Sequence, residues 1–204
     1  YNEAFVIDAA TKDKLIAEDP KSAEIIKPFL AGRDIKRYTH IFLDRYLIFT
    51  RRGINIKQYP AIERYLGNFK DRLTPKPKDW KGNNWTGRKS GTYRWYEIQD
   101  STDYYAEFEK HKIIIPAIVQ NASYTFDTEG YYSNDKTSII VTDDLYLLGL
   151  LNSKVPDFIL HLIASTKQGG YYEYKPMYVS QLPIHPINFS DPAEKAKHDQ
   201  IVTL

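Results

Sequence analysis

The chain has 204 residues, 42% hydrophobic and 26% charged, with a formal net charge of +2, a composition that excludes a disordered or low-complexity polypeptide. That length can bury one sizeable core, or two small ones sharing an interface. With no cysteine, disulfides and Cys-ligated zinc or iron–sulfur sites are excluded, and no run approaches the ~18 apolar residues of a membrane helix.

In chain order, residues 1–10 (YNEAFVIDAA) read as a short strand entering the domain. Asp19-Pro20 is a helix start, an N-cap followed by proline at the first helical position. That helix is expected to reach about Lys27 and to bury Ile25 and Ile26. In the segment KPFLAGRDIKRY (27–38), Gly32 permits a turn, and Arg33, Lys36 and Arg37 surround one acid, Asp34. Either Asp34 neutralises Arg33 or Arg37 within the turn, or the three cations face a phosphate. Asp44 to Thr50 (DRYLIFT) is a strand by its β-branched and aromatic content, and it delivers Arg51-Arg52-Gly53 at its end. Tyr59-Pro60 opens a second helix with Ile62, Leu66, Phe69 and Leu73 on one face.

Gly67 to Tyr96 follows without apolar periodicity and reads as a long functional loop mounted on that helix. It holds eight Lys/Arg against two acids, an excess of six cations in a chain of net charge +2. All three tryptophans (Trp80, Trp85, Trp95) lie here, with Gly82, Gly87, Gly91 and the amides Asn83 and Asn84 between them. Cations hold a polyanion in register, while amides and arginine can read base edges. The competing reading is a solvated loop packed down by its tryptophans.

Trp95 to Gln99 (WYEIQ) resumes strand-like alternation, and Tyr104 to Lys110 reads as a short helix. Lys112 to Val119 (KIIIPAIV) is a buried strand in which Pro116 demands an edge position or a bulge. Tyr124 to Tyr132 reads as a hairpin turning at Asp127 to Gly130, and Thr137 to Thr142 as a further strand. Asp143 and Asp144 compete to cap a helix over Leu145–Leu151; Asn152-Ser153 breaks it and Pro156 to Ala164 forms the next. Both helices are apolar enough to be core, and His161 within them reads as a satisfied core residue. Residues 165–175 (STKQGGYYEYK) form a second glycine-hinged polar loop, in which Lys167, Gln168 and Tyr172 either share a ligand with the main loop or serve an ordinary connection. Asp191-Pro192 caps a last helix, AEKAKHDQIVTL, which reads as cut short in a piece of a longer protein.

Chemistry is sparse. There is no dinucleotide or phosphate-loop glycine motif, no metal-spaced pair among the five histidines and no Gly-x-Ser-x-Gly elbow. Acid-x-Lys triplets of the kind used by metal-dependent nucleases occur as Asp34-Ile35-Lys36 and Asp79-Trp80-Lys81. Such triplets arise readily by chance, so no catalytic or metal residue is assigned.

Seven segments together resemble the TaqI-like C-terminal specificity domain of type IIG restriction–modification enzymes and related adenine-N6 DNA methyltransferases. They are IIKPFLAGRDIKRY (25–38), YLIFT (46–50), KQYPAIERYL (57–66), WYEIQDSTDYYAEFEKHKIIIPAI (95–118), FDTEGYYSNDKTSIIVT (126–142), LYLLGLLNSKV (145–155) and GGYYEYKPMYVSQLPI (169–184). The resemblance implies a cytoplasmic DNA-recognition module that follows a methyltransferase domain using S-adenosylmethionine. That domain would hold the flipped adenine with an Asn-Pro-Pro-aromatic motif. Neither this motif nor a cofactor-binding glycine motif occurs in the chain. No cofactor is therefore expected here, and methyl transfer and any cleavage belong elsewhere in the parent. Where the family often carries an arginine before the glycine pair, this chain has Lys167-Gln168-Gly169-Gly170, a point charge in place of a planar fork.

The expected architecture is α+β, a twisted, largely antiparallel sheet with packed helices, as in target-recognition domains. Residues 1–187 would be the specificity domain and 188–204 the start of a C-terminal helix. The expected partners are duplex DNA and the parent's own methyltransferase domain, with no membrane. Phosphate-contact candidates are Arg33, Lys36, Arg37, Arg51, Arg52, Lys76, Lys78, Lys81, Lys89 and Lys167. Candidates for the bases are Asn83, Asn84, Trp85, Arg88, Arg94 and Gln168, since amides suit adenine and arginine suits guanine. Two rivals remain open: a protein-docking module with a solvated basic loop, and a nuclease site built on Asp79 and Lys81.

Overall fold

A computed structural model describes residues 4–100 and 103–203. In order they form β1 (Val6–Asp8), α1 (Ala9–Glu18), β2 (Ile26–Pro28), β3 (Ile35–Lys36), β4 (Thr39–His40), β5 (Arg45–Ile48), α2 (Pro60–Gly67) and α3 (Lys70–Leu73). Then follow β6 (Lys112–Pro116), β7 (Ile118–Val119), β8 (Thr125–Asp127), β9 (Thr137–Val141), α4 (Leu145–Leu151), α5 (Lys154–Ile163), β10 (Thr166–Lys167), β11 (Tyr171–Glu173), α6 (Pro176–Val179) and α7 (Pro192–Thr203). Every strand pairing among these elements is antiparallel, so the α+β expectation holds. No helix among the described residues is long and apolar enough to cross a membrane.

The chain divides into two compact units. The first comprises the residues up to Phe29 together with Asp44–Ala106, and the second comprises Leu30–Leu43 with Glu107 onward. Buried apolar residues form one cluster in the first unit and two in the second, so the chain does not build a single core.

In the first unit β5 lies between β1 and β2, with Val6 opposite Leu47 and Ile26 opposite Ile48. Residues 1–3 of the expected entry strand lie outside the described residues. α1 was not anticipated: Asp8 caps it by accepting from Thr11 N at 2.8 Å, but only Leu15 is buried, too few apolar residues to show a helical period. The expected helix from Asp19 is instead a 3₁₀ turn, Pro20–Ile25, that gives way to β2. Ile25 and Ile26 are buried as expected, but Ile26 is β-branched and its pairing with Ile48 ends the helix early. In the second helix Ile62, Leu66 and Leu73 are completely buried, each worth about 2 kcal/mol of transfer free energy, although the helix breaks at Asn68 into α2 and α3.

In the second unit β6 lies between β8 and β9, which corrects the edge position expected from Pro116. The proline is the last residue of the strand, where the chain leaves one ladder for β7 in the sheet β10–β11–β7. The hairpin expected over 124–132 does not form either. β8 pairs back on β6, and Asp127 closes the turn after it by accepting from Glu129 N and Tyr131 N. Asp144, not Asp143, caps α4 through Leu147 N at 3.0 Å, while Asp143 faces His111. Asn152, which ends α4, is itself buried and clasps the Tyr124 backbone from both sides, at 2.9 and 3.0 Å.

α5 departs from the all-core expectation. It buries Pro156 and Leu160, yet Val155, Phe158 and Leu162 on its other face are each more than 60% exposed. His161 is satisfied as expected, though only half-buried: its Nε2–H donates to Gln120 O at 2.9 Å and its ring stacks on Tyr172 at 4.1 Å.

Candidate nucleic-acid interface

In the first unit the basic loop is not free. It leaves α3 at Leu73 and is drawn back on itself by Arg88. The Arg88 backbone donates to Thr74 O at 3.0 Å and accepts from Lys76 N at 2.9 Å. Its guanidinium donates to Leu73 O and Glu97 O, both at 2.7 Å, and to Trp95 O and Arg94 O at 2.9 and 3.1 Å. One side chain therefore joins the helix that launches the loop to the segment that ends it. Burial pulls this guanidinium down from its ordinary value, while Tyr93 and Glu97 act the other way. At 7% exposure, with its donors committed to carbonyls, Arg88 cannot serve as a base-edge reader, and that expectation is corrected. Next to it, Gly87 passes so close that a Cβ would stand 2.2 Å from Thr74 O.

Trp85 is half-buried and its Nε1–H is taken by Thr74 O at 3.2 Å, so it anchors the loop and has no N–H left to offer a base edge.

Glu97, 3% exposed, gathers the remaining pieces. One carboxylate oxygen accepts from Gly53 N at 2.9 Å and the other from Arg94 N at 2.8 Å. The Arg51-Arg52-Gly53 turn is thereby fixed beside Arg94. The turn between Arg94 and Glu97 also replaces the strand expected over Trp95–Gln99. All three arginines are exposed. Arg52 Nη2 donates to Gln99 O at 2.6 Å, Arg51 lies 5.4 Å over the Tyr105 ring, and Arg94 Nη1 donates to the Tyr96 hydroxyl at 2.7 Å. Glu97 offered no sequence signal, being a lone acid in an apolar stretch.

On the loop Lys78, Lys81, Lys89, Asn83 and Asn84 are exposed and Lys76 is half-buried. Among the described residues, none of these four lysines has a carboxylate partner. Tyr93 donates to Lys89 O and Ser90 Oγ to Lys76 O, so the backbone of the cationic stretch is held while its ammonium groups remain in water. Asp79 is equally exposed, and no group of three or more His, Cys, Asp or Glu that could hold a metal occurs among the described residues.

The second unit carries the other candidates on two hairpins. β3–β4 turns at Arg37-Tyr38, with Tyr38 at φ +64° and Arg37 lying 5.3 Å over its ring. Arg33, Lys36 and Arg37 are exposed, and Lys36 Nζ donates to Arg33 O at 2.8 Å. Asp34 is buried and accepts from Ala31 N at 2.7 Å, which makes it part of the turn's framework. β10–β11 presents Gln168 at its tip, with Gly169 and Gly170 both at positive φ as the glycine pair suggested. Gln120 Nε2 holds that tip by donating to Gly169 O at 3.2 Å. Lys167 lies 3.3 Å from Glu173, which also pairs with Lys175 at 2.8 Å; Lys175 first, then Lys167, hold that carboxyl below the usual range.

No curated protein matches the chain by sequence. Among solved structures the chain is similar to the type IIL restriction–modification enzyme MmeI, whose structure is of a complex with DNA, with a TM-score of 0.64 at 17% identity. The likeness covers 97% of this chain and 25% of MmeI, so the chain spans about a quarter of that enzyme's length, and it shows the shared fold. The model of the TaqI-like C-terminal specificity domain matches residues 27–184, most of the chain, and the chain belongs to that family.

Proposed function

We propose that this chain is the DNA target-recognition domain of a restriction–modification methyltransferase, the reading already suggested by seven segments of its sequence. The observation that carries it is the loop of residues 74–96. Unpartnered lysines and exposed amides stand on a backbone fixed at both ends by Arg88, and a pre-organised cationic reader loses little entropy when it meets a polyanion. MmeI, which shares the fold, was solved with DNA. Lys76, Lys78, Lys81, Lys89, Arg51 and Arg52 would hold phosphates in the first unit, as Arg33, Lys36, Arg37 and Lys167 would in the second. Asn83, Asn84, Arg94 and Gln168 remain the base-edge candidates. S-adenosylmethionine and the methyl-transfer residues would belong to a methyltransferase domain elsewhere in the polypeptide, together with any cleavage activity.

Selection of the full natural polypeptide against a random duplex pool, sequenced at low and moderate salt, tests this. An enriched motif that survives moderate salt is the expected result; retention without a motif, vanishing as salt rises, would overturn sequence reading. Lys78→Ala and Lys81→Ala should each weaken all sequences alike and flatten the dependence of log K on log salt by about one unit. A slope unchanged by both substitutions would remove them from the phosphate contacts.

The exposed Val155–Phe158–Leu162 stripe favours a second reading, a protein-docking module. It predicts shallow salt dependence and no enriched motif.

A further inference from the structure

Trp80 is the one tryptophan of the three that stands in solvent, at 42% exposure. Trp85 braces it edge-on, with centroids 5.1 Å apart and planes at 67°, and Trp85 is itself tied to Thr74 O. Beneath the ring runs Gly82, where a Cβ would come within 2.7 Å of the indole, so the ring rests directly on backbone. Lys78 and Lys81 stand two residues before and one residue after it, both exposed and without carboxylate partners among the described residues. A single exposed aromatic is ordinary on a protein surface. What singles out Trp80 is that its ring is seated on Trp85 and Gly82 while standing between two cations that lack carboxylate partners among the described residues. The flanking cations select a polyanion as the occupant, and an aromatic face amid phosphate-binding cations suits a nucleobase.

We propose that Trp80 is a stacking platform for a base at an unstacked step of the bound duplex, with Lys78 and Lys81 holding the adjoining phosphates. The inference rests on the DNA-binding reading but not on sequence specificity, because every base presents a π-face and stacking tolerates all of them. Unstacking a step in a duplex has a cost, which an inserted or underlying aromatic face offsets.

The test uses the full natural polypeptide and a mixed-sequence 30-base-pair duplex at low salt, beside any duplex enriched by selection. Trp80→Ala should weaken binding to both duplexes by roughly tenfold or more while leaving the salt slope unchanged, since no phosphate contact is lost. Trp80→Phe, which keeps a ring, should retain most of the affinity yet abolish most of the indole quenching on DNA binding. A merely structural Trp80 would not separate those two readouts. Unchanged affinity for Trp80→Ala, or full quenching retained in Trp80→Phe, overturns the platform. Failure of the wild-type protein to bind either duplex overturns the DNA reading and the platform with it. Binding without an enriched motif overturns only sequence specificity.

Discussion

Lys112→Met should cost the second unit about 3–5 kcal/mol of stability, the range for removing one partner of a buried ion pair. Lys112 and Asp127 face each other across the β6–β8 ladder, and neither side chain reaches solvent. The ammonium meets three acceptors: Asp127 Oδ2, Phe108 O at 2.6 Å and Lys110 O at 3.4 Å. Asp127 also accepts from Glu129 N and Tyr131 N at 2.8 and 3.0 Å, which closes the turn after β8. Methionine fills the same volume but strands a carboxylate in an apolar interior. The double change Lys112→Met with Asp127→Asn should cost clearly less than the two single changes together, because a neutral pair leaves no bare charge. Urea unfolding followed by backbone circular dichroism reads the loss, and a cost below about 1 kcal/mol for Lys112→Met would show that the pair holds nothing.

Arg88→Met should destabilise the first unit by about 3 kcal/mol. It removes the donors to four carbonyls, two of them in buried bonds, and each carbonyl left dry costs about 1–3 kcal/mol, whereas those nearer the rim recover water. Arg88→Lys should recover little of it, because an ammonium cannot span the planar fork that joins Leu73 to Glu97. All three tryptophans lie in this unit, so indole emission during unfolding isolates the effect. Binding to a selected duplex and to its scrambled counterpart should weaken by the same factor, since the loop as a whole is loosened. A loss confined to the selected duplex at unchanged stability would return Arg88 to the base edges.

The contrast between Arg88 and Trp80 shows how far the candidate site was legible in the sequence. The density of cations, amides and tryptophans between Gly67 and Tyr96 marks the loop without ambiguity, and residue type suggests what such a loop binds. It does not say which arginine faces inward. Arg88 lies between Gly87 and Lys89 and Arg94 between Tyr93 and Trp95, contexts that do not say which is buried. One is 7% exposed and the other lies in solvent, because only Arg88 falls opposite the carbonyl at the end of α3. Trp80 and Trp85 sit in equally polar surroundings, and Thr74 O decides which indole is anchored and which is displayed.

Local chemistry alone determined the strands over Lys112–Pro116 and Thr137–Val141, an aspartate cap for α4 and the Asp191 cap, the helical face of Ile62, Leu66 and Leu73, and the glycine hinge at Gly169-Gly170. These depend on interactions within a few residues, which a sequence carries directly. The seven ordered segments likewise named the family before any coordinates. Tertiary structure alone decided that the chain divides into two compact units, that β6 is central despite Pro116, and that α5 turns an apolar stripe outward. It alone paired Lys112 with Asp127 and set Arg88 and Glu97 as the framework of the basic loop. In each case the partner is an atom distant in the chain, often a backbone carbonyl or amide that every residue possesses, so no residue type in the sequence can announce it.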